Sequence, residues 1–225
     1  MIFKFFVQPQ VNIHDHRVYG YETLLRKKGP NGWRVPTNFL ELTVAEQARL
    51  IEQTAYDLGP KLAHQFLAFN LNRAQFDHPD TLATLLNLKS RIQHVKLAIE
   101  FTEAPTLAQM QHYSEVLHAH DMKLDLDDVG TGSNTYANIK AFLPYADKIK
   151  FAMQNLRMSG DADQIPTQLA FWVQQAQAHQ LTMILEGIED SQDQALAAKY
   201  QVNIHQGYLY SQPVAPQSLA LDFEF

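Results

Sequence analysis

Seven segments carry, at or near the end of an apolar run, a residue able to ligate a hard cation or move a proton. They are Glu22 in YETLLR, Asn70 in FNLN, Glu100 in IEFTE, Asp127 and Asp128 in KLDLDDVGTG, Lys150 in DKIKF, Glu186 in EGIE and Gln206 in HQGYLY. After Glu22 they follow one another at steps of 20 to 48 residues, about the length of one strand-plus-helix unit. If each closes a strand of one closed sheet, all converge on one face, and five carboxylates crowd together there. Each carboxylate pair at 4 Å then costs about 4 kcal/mol at an effective dielectric of about 20, so cations must offset them. Oxygen donors with one amide, and neither His nor Cys among them, favour Mg²⁺ or Mn²⁺ over zinc, and adjacent aspartates suit a two-metal site.

Each residue taken alone has a plainer explanation. Asp127 and Asp128 could be a solvated turn or a helix N-cap, Lys150 a surface lysine, and Glu186 and Glu189 favourable acids in the first turn of the following helix. GTG at 130–132 is accounted for by turn geometry. The pairs His14 with His16 and His118 with His120 lack a ligand pattern and are expected at the surface. Trp33 is expected to anchor a loop, with a lid or ligand contact as the alternative, and Phe171 and Trp172 to pack a helix onto the core.

The elements that would position the acids can be read from periodicity. Eight apolar, β-rich runs recur (FKFFV, VYGYETLL, QFLAFNL, VKLAIE, KLDLD, DKIKF, MILEG and NIHQGYLY), and helical patterns such as TVAEQARLIEQTAYDL, TLAQMQHYSEVLHAH and PTQLAFWVQQAQAH fill several gaps. This alternation predicts an α/β fold, a TIM-like (β/α)8 barrel with functional residues at the C-terminal strand ends. Only QPQVNIHDHR separates the first two runs, so they form a hairpin and one strand near the N-terminus is antiparallel. KKGPNGWRVP, residues 27–36, reads as a loop at the barrel mouth. No linker or repeat divides residues 1–225, which are expected to form a single barrel domain.

The 225 residues are 46% hydrophobic and 19% charged, an ordinary globular composition. A formal charge of -6 argues against binding a nucleic acid polymer or an anionic membrane. The chain has no cysteine, which excludes disulfides and thiolate zinc sites and suits a reducing cytoplasm, the expected location. No apolar run is long enough for a membrane span or a signal peptide.

In order along nearly the whole chain, YETLLR, FNLN, IEFTE, DDVGTG, EGIE and QGYLYSQPV resemble the motifs of EAL-type cyclic di-GMP phosphodiesterases. The resemblance implies a (β/α)8-like barrel with one antiparallel strand. It implies two cations, one on Glu22, Asn70, Glu100 and Asp127 and the other on Asp127 and Asp128 with Glu186 near it. Lys150 would touch the attacking water, with either Lys150 or Glu186 as base, and Gln206 would orient the ligands. Arg26 would meet phosphate and Gln8 guanine, with Asn70 and Gln206 also facing substrate. Glu103 would fix the DDVGTG loop, and Glu189 is a second support for the site. The implied activity is cleavage of cyclic di-GMP to linear pGpG; the alternative is a weak or inactive receptor, or a regulator acting through a protein partner.

Four positions depart from the family pattern: Thr23, Val129, Ser133 and Ala152. Ala152 stands where relatives carry an Asp that could steady Lys150, so Lys150 is expected to be less well held here. Relatives pair through the segment that follows the double Asp. A homodimer is therefore expected through residues 133–142, with Tyr136, Ile139 and Phe142 as an apolar stripe at helical spacing.

Overall fold

The computed structural model describes residues 3–219; residues 1, 2 and 220–225 of the expected domain lie outside the described residues. The strands are β1 (Phe3–Asn12), β2 (Arg17–Gly29), β3 (Gly32–Arg34), β4 (Phe66–Leu71), β5 (Lys96–Phe101), β6 (Lys123–Leu126), β7 (Lys148–Ala152), β8 (Thr182–Glu186) and β9 (Ile204–Gln206). The longer helices are α1 (Val44–Leu58), α3 (Thr81–Arg91), α4 (Leu107–Ala119), α7 (Ile165–His179) and α8 (Ser191–Lys199), with short α2 (Arg73–Phe76), α5 (Tyr136–Ile139) and α6 (Met153–Ser159) between.

Eight of the nine strands close into a barrel in the order β1-β9-β8-β7-β6-β5-β4-β2, with β2 pairing back onto β1. β1 is antiparallel to both of its neighbours, and the strands from β2 and β4 round to β9 run parallel.

Strand alternation sorts the side chains. Leu67, Phe69 and Leu71, Leu97, Ile99 and Phe101, Leu124 and Leu126, and Ile149 and Phe151 join the core cluster. The residues between them, Asn70, Glu100, Asp125, Asp127, Lys148 and Lys150, face the barrel axis on the same strands. The helices cap themselves from local sequence: Thr43 with Glu46 and Thr106 with Gln109 form reciprocal capping boxes at α1 and α4. Gln47, Ala48, Ile51, Thr54, Ala55 and Leu58 are the buried stripe of α1.

Two expectations need correction. Residues 27–36 are not a plain loop. β2 runs past its pairing with β4, which ends at Thr23↔Phe69, and turns at Pro30 into β3, so a three-stranded ribbon rises above the rim. Of the apolar stripe of residues 136–142, only Tyr136 is exposed, at 37%. Ile139 and Phe142 are buried in the chain's own core, and Tyr136 packs edge-on to Phe171 and Trp172.

Candidate active site

Lys150 lies at the centre of the barrel mouth. Completely buried on β7, its Nζ is 2.8 Å from Glu186 Oε1, 3.0 Å from Glu100 Oε2, 3.2 Å from Asp127 Oδ1 and 3.6 Å from Glu22 Oε2. Four carboxylates contact Lys150 without any group from position 152. Burial alone would lower its pKa, yet Asp127, Glu100, Glu186 and Glu22 together hold it well above the ordinary lysine range. The carboxylates pay for the crowding. Complete burial pushes Glu100 up to about 8 against the pull of Lys150, and burial likewise raises Asp127 and Glu186.

Around this centre, amides fix the carboxylates. Asn70 Nδ2 donates to Glu22 Oε1 at 2.8 Å, and Gln206 Nε2 donates to Glu22 Oε2 and, at 3.1 Å, to Gln8 Oε1. Gln10 Nε2 in turn donates to Gln206 Oε1 at 3.1 Å, and Gln8 Nε2 to the Ser211 carbonyl at 3.0 Å. Gly207 makes the turn at the end of β9 possible, because a Cβ there would lie 2.0 Å from the Ile188 carbonyl oxygen.

The DDVGTG turn is held by Asn134, which no motif marks, and by two of the departing positions, Ser133 and Val129. Asn134 Nδ2 donates to the Asp127 carbonyl at 2.6 Å, Ser133 Oγ accepts from the Ala104 amide at 3.1 Å, and the Val129 amide donates to the Lys150 carbonyl at 3.0 Å. Glu103, expected to fix this loop, is exposed and makes no hydrogen bond or ion pair among the described residues. Asp128 has φ of +49°, a left-handed conformation that Asp tolerates. Its Oδ1 accepts from Asn155 Nδ2 at 2.7 Å, and Asn155, in the first turn of α6, is a site residue that the motifs do not mark. Glu189 is exposed, 3.9 Å from Arg157.

Two sets of carboxylates bring ligand atoms within 4.8 Å of one another: Glu22, Glu100 and Asp127, and Asp127, Asp128 and Glu186. Asp127 belongs to both. Asn70 Oδ1 and Glu100 Oε1 are buried acceptors with no hydrogen-bond partner, an arrangement that costs free energy unless a cation satisfies it. Beside the carboxylates opens a cleft of about 480 Å³, lined among others by Gln8, Arg26, Asp128, Asn155, Glu189 and Tyr208. Thr23 lies away from the cleft and donates to the Ala68 carbonyl at 2.6 Å, while Val129 is buried in the core.

Residues 2–213 match the EAL domain family. Cyclic di-GMP phosphodiesterase PdeL of Escherichia coli is 30% identical over 229 residues, covering 94% of this chain and 62% of PdeL. The chain spans less than half the length of several other curated relatives it matches. The structure of the PaMucR phosphodiesterase in complex with c-di-GMP superposes with a TM-score of 0.78 at 22% identity, covering 97% of this chain and 94% of that one. The manganese and c-di-GMP complex of Klebsiella pneumoniae BlrP1 superposes with a TM-score of 0.75 at 24% identity, covering 96% of this chain and 57% of that one. With the barrel, its antiparallel first strand and the ordered motifs at the strand ends, this match over nearly the whole chain identifies a member of the EAL domain family.

Proposed function

We propose that the chain is a divalent-cation-dependent phosphodiesterase that cleaves one phosphodiester of cyclic di-GMP to give linear pGpG. The observation that carries this reading is the pair of carboxylate groups sharing Asp127. Glu22, Asn70, Glu100 and Asp127 would hold one cation and Asp127, Asp128 and Glu186 the other. Their hard oxygen donors favour Mg²⁺ or Mn²⁺. Such a pair supplies the Lewis acidity that activates water and offsets charge on the phosphate.

The chain's own groups divide the remaining work. Lys150, with its ammonium group within 3.6 Å of four carboxylates, places a positive charge at the centre of the site. Glu186 and Lys150, 2.8 Å apart with Glu186 at the cleft wall, are the two groups placed to take up the proton of the attacking water. Arg26 offers a planar fork of donors at the rim for phosphate, and Gln8 offers an amide edge for a base.

Conversion of cyclic di-GMP followed by chromatography in Mg²⁺ and in Mn²⁺ tests the reading. Product should form, and Glu22→Ala should abolish it while circular dichroism still reports the fold. Undiminished turnover in excess chelator would rule out the mechanism. Tight binding in Ca²⁺ with no product in either metal would make the chain a receptor, and no binding at all would leave a protein-interaction role.

A further inference from the structure

The ribbon formed where β1, β2 and β3 rise above the rim has one face continuous with the cleft. Gln8 pairs with Glu22, Phe6 with Leu24, Lys4 with Arg26 and Lys28 with Trp33. Alternation puts these residues on the same side as Gln8 and Glu22. Lys4 Nζ lies 4.4 Å from the centre of the Trp33 ring and 4.9 Å from that of Phe6, and Lys28 Nζ lies 6.0 Å from the Trp33 ring. The opposite face behaves differently. There Lys27 forms a salt bridge with Glu41, whereas Lys4, Arg26 and Lys28 have no salt bridge among the described residues. A chain with net charge -6 thus leaves three cations without carboxylate partners on the one face that leads into an acidic site.

We propose that Lys4, Lys28 and Trp33 form an outer subsite for the part of a cyclic dinucleotide remote from the bond that is cleaved. A base would lie against the half-buried Trp33 indole, and the ammonium groups of Lys4 and Lys28 would meet phosphate. The proposal rests on the phosphodiesterase reading and extends its site outward along the ribbon. Its geometry fits. At about 3.3 Å per strand residue, Lys4 stands about 13 Å beyond Gln8, comparable with the reach of one nucleotide from its phosphate to the far edge of its base.

The electrostatics fit too. Five carboxylates at the barrel mouth, four of them around Lys150, repel an anionic ligand on approach, and unpaired cations at the rim counter that repulsion within about 8–10 Å at physiological salt. Stacking on the indole accepts any base, because every base has a π-face. An acidic protein segment is the competing occupant, and it would make no use of the indole face.

Calorimetry with cyclic di-GMP in Ca²⁺, at several salt concentrations, tests the subsite. Lys4→Gln with Lys28→Gln should weaken binding about tenfold, as expected for losing charge-assisted contacts. The same pair should flatten the dependence of affinity on salt and leave kcat at saturating substrate within about twofold. Trp172 lies against Gly130 of the DDVGTG turn, so the reporter of the subsite is the part of the ligand-induced change in tryptophan emission that Trp33→Phe removes, and it should appear on titration of the unaltered protein. Lys28→Gln, at an exposed position, and this emission change carry the test should the double variant not fold. Unchanged affinity and salt slope, with tight binding by the unaltered protein, would overturn the subsite and leave the phosphodiesterase reading intact. A lowered Tm without loss of affinity would make the ring and ammonium contacts packing only. Absence of binding by the unaltered protein would overturn both.

Discussion

At the scale of single residues, the site is a balance of charge around Lys150. Four carboxylates approach one ammonium group, and burial raises the carboxyls of Glu100, Asp127 and Glu186 in spite of its pull. The strand-end acids were legible because each is a charged residue closing an apolar run, a placement that ordinary core packing does not explain. The lysine's role was less legible. A lysine between two apolar residues says only that it faces away from them, and its four partners come from four other strands. Asn155 was invisible for a similar reason, since an Asn early in a helix is commonplace and only the structure shows it donating to Asp128. Because that bond orients a carboxylate of the second group, Asn155→Ala should lower turnover about tenfold, the low end of what supporting shells around metals contribute. Steady-state kinetics together with thermal melting decide the point. Loss of rate with Tm unchanged supports orientation, and an unaltered rate would show that Asp128 needs no tether.

At the scale of elements, the barrel carries a second polar layer beneath the mouth. Asp125 on β6 and Lys148 on β7 are in register, both fully buried, with Lys148 Nζ 2.7 Å from Asp125 Oδ2 and 4.4 Å from the Phe66 ring. Breaking such a pair strands a buried charge, so Lys148→Met alone should cost about 3–5 kcal/mol, whereas Asp125→Leu with Lys148→Met should recover most of it. Urea denaturation of the two variants tests this, and equal losses would show that the charges contribute no coupling.

A surface pair on the same strands gives a pH dependence. Asp147 accepts from Lys123 Nζ and His118 Nε2, each at 2.7 Å, and from the Leu124 amide at 2.9 Å. Burial would raise its carboxyl, but these donors outweigh it and the pKa is lowered. A carboxylate depressed on folding contributes stability above its unfolded pKa, about 3.9, and loses it as pH falls towards the lower folded value. Asp147→Asn should therefore be less stable than the unaltered protein at pH 7 and approach it near pH 3. A gap that stays constant with pH would assign the loss to shape instead. Elements with long periodic patterns, such as α1, α4 and α7, were legible in the sequence. The ribbon was not, because Gly29, Pro30 and Gly32 mark a turn without saying that strands flank it. Nor was the inward face of residues 136–142, since an apolar stripe does not say which side of a helix it covers.

At the scale of the whole molecule, the acidic net charge and the concentration of carboxylates at one end of the barrel make the fold a linkage device. Under the proposed function, the groups that would ligate are the groups that repel one another without a cation, so cation binding and folding stability should rise together. Binding to the folded state alone at 100 times the dissociation constant adds about 2.7 kcal/mol, and for a chain of 225 residues each kcal/mol moves Tm by about 2–4 °C. Mn²⁺ or Mg²⁺ at that excess should thus raise Tm by about 5–10 °C over the protein in chelator. Asp127→Asn separates ligation from general salt effects, because Asp127 is the one residue common to both carboxylate groups. Its amide keeps the shape and removes one negative charge beside Glu100 and Glu186, so the metal-free variant should melt at or above the unaltered protein in chelator, and its Tm should not respond to Mn²⁺. Scanning calorimetry on both proteins decides the matter. A variant that still gains several degrees in Mn²⁺ would show that the cations do not depend on Asp127, and the shared-carboxylate arrangement on which the proposed function rests would fall.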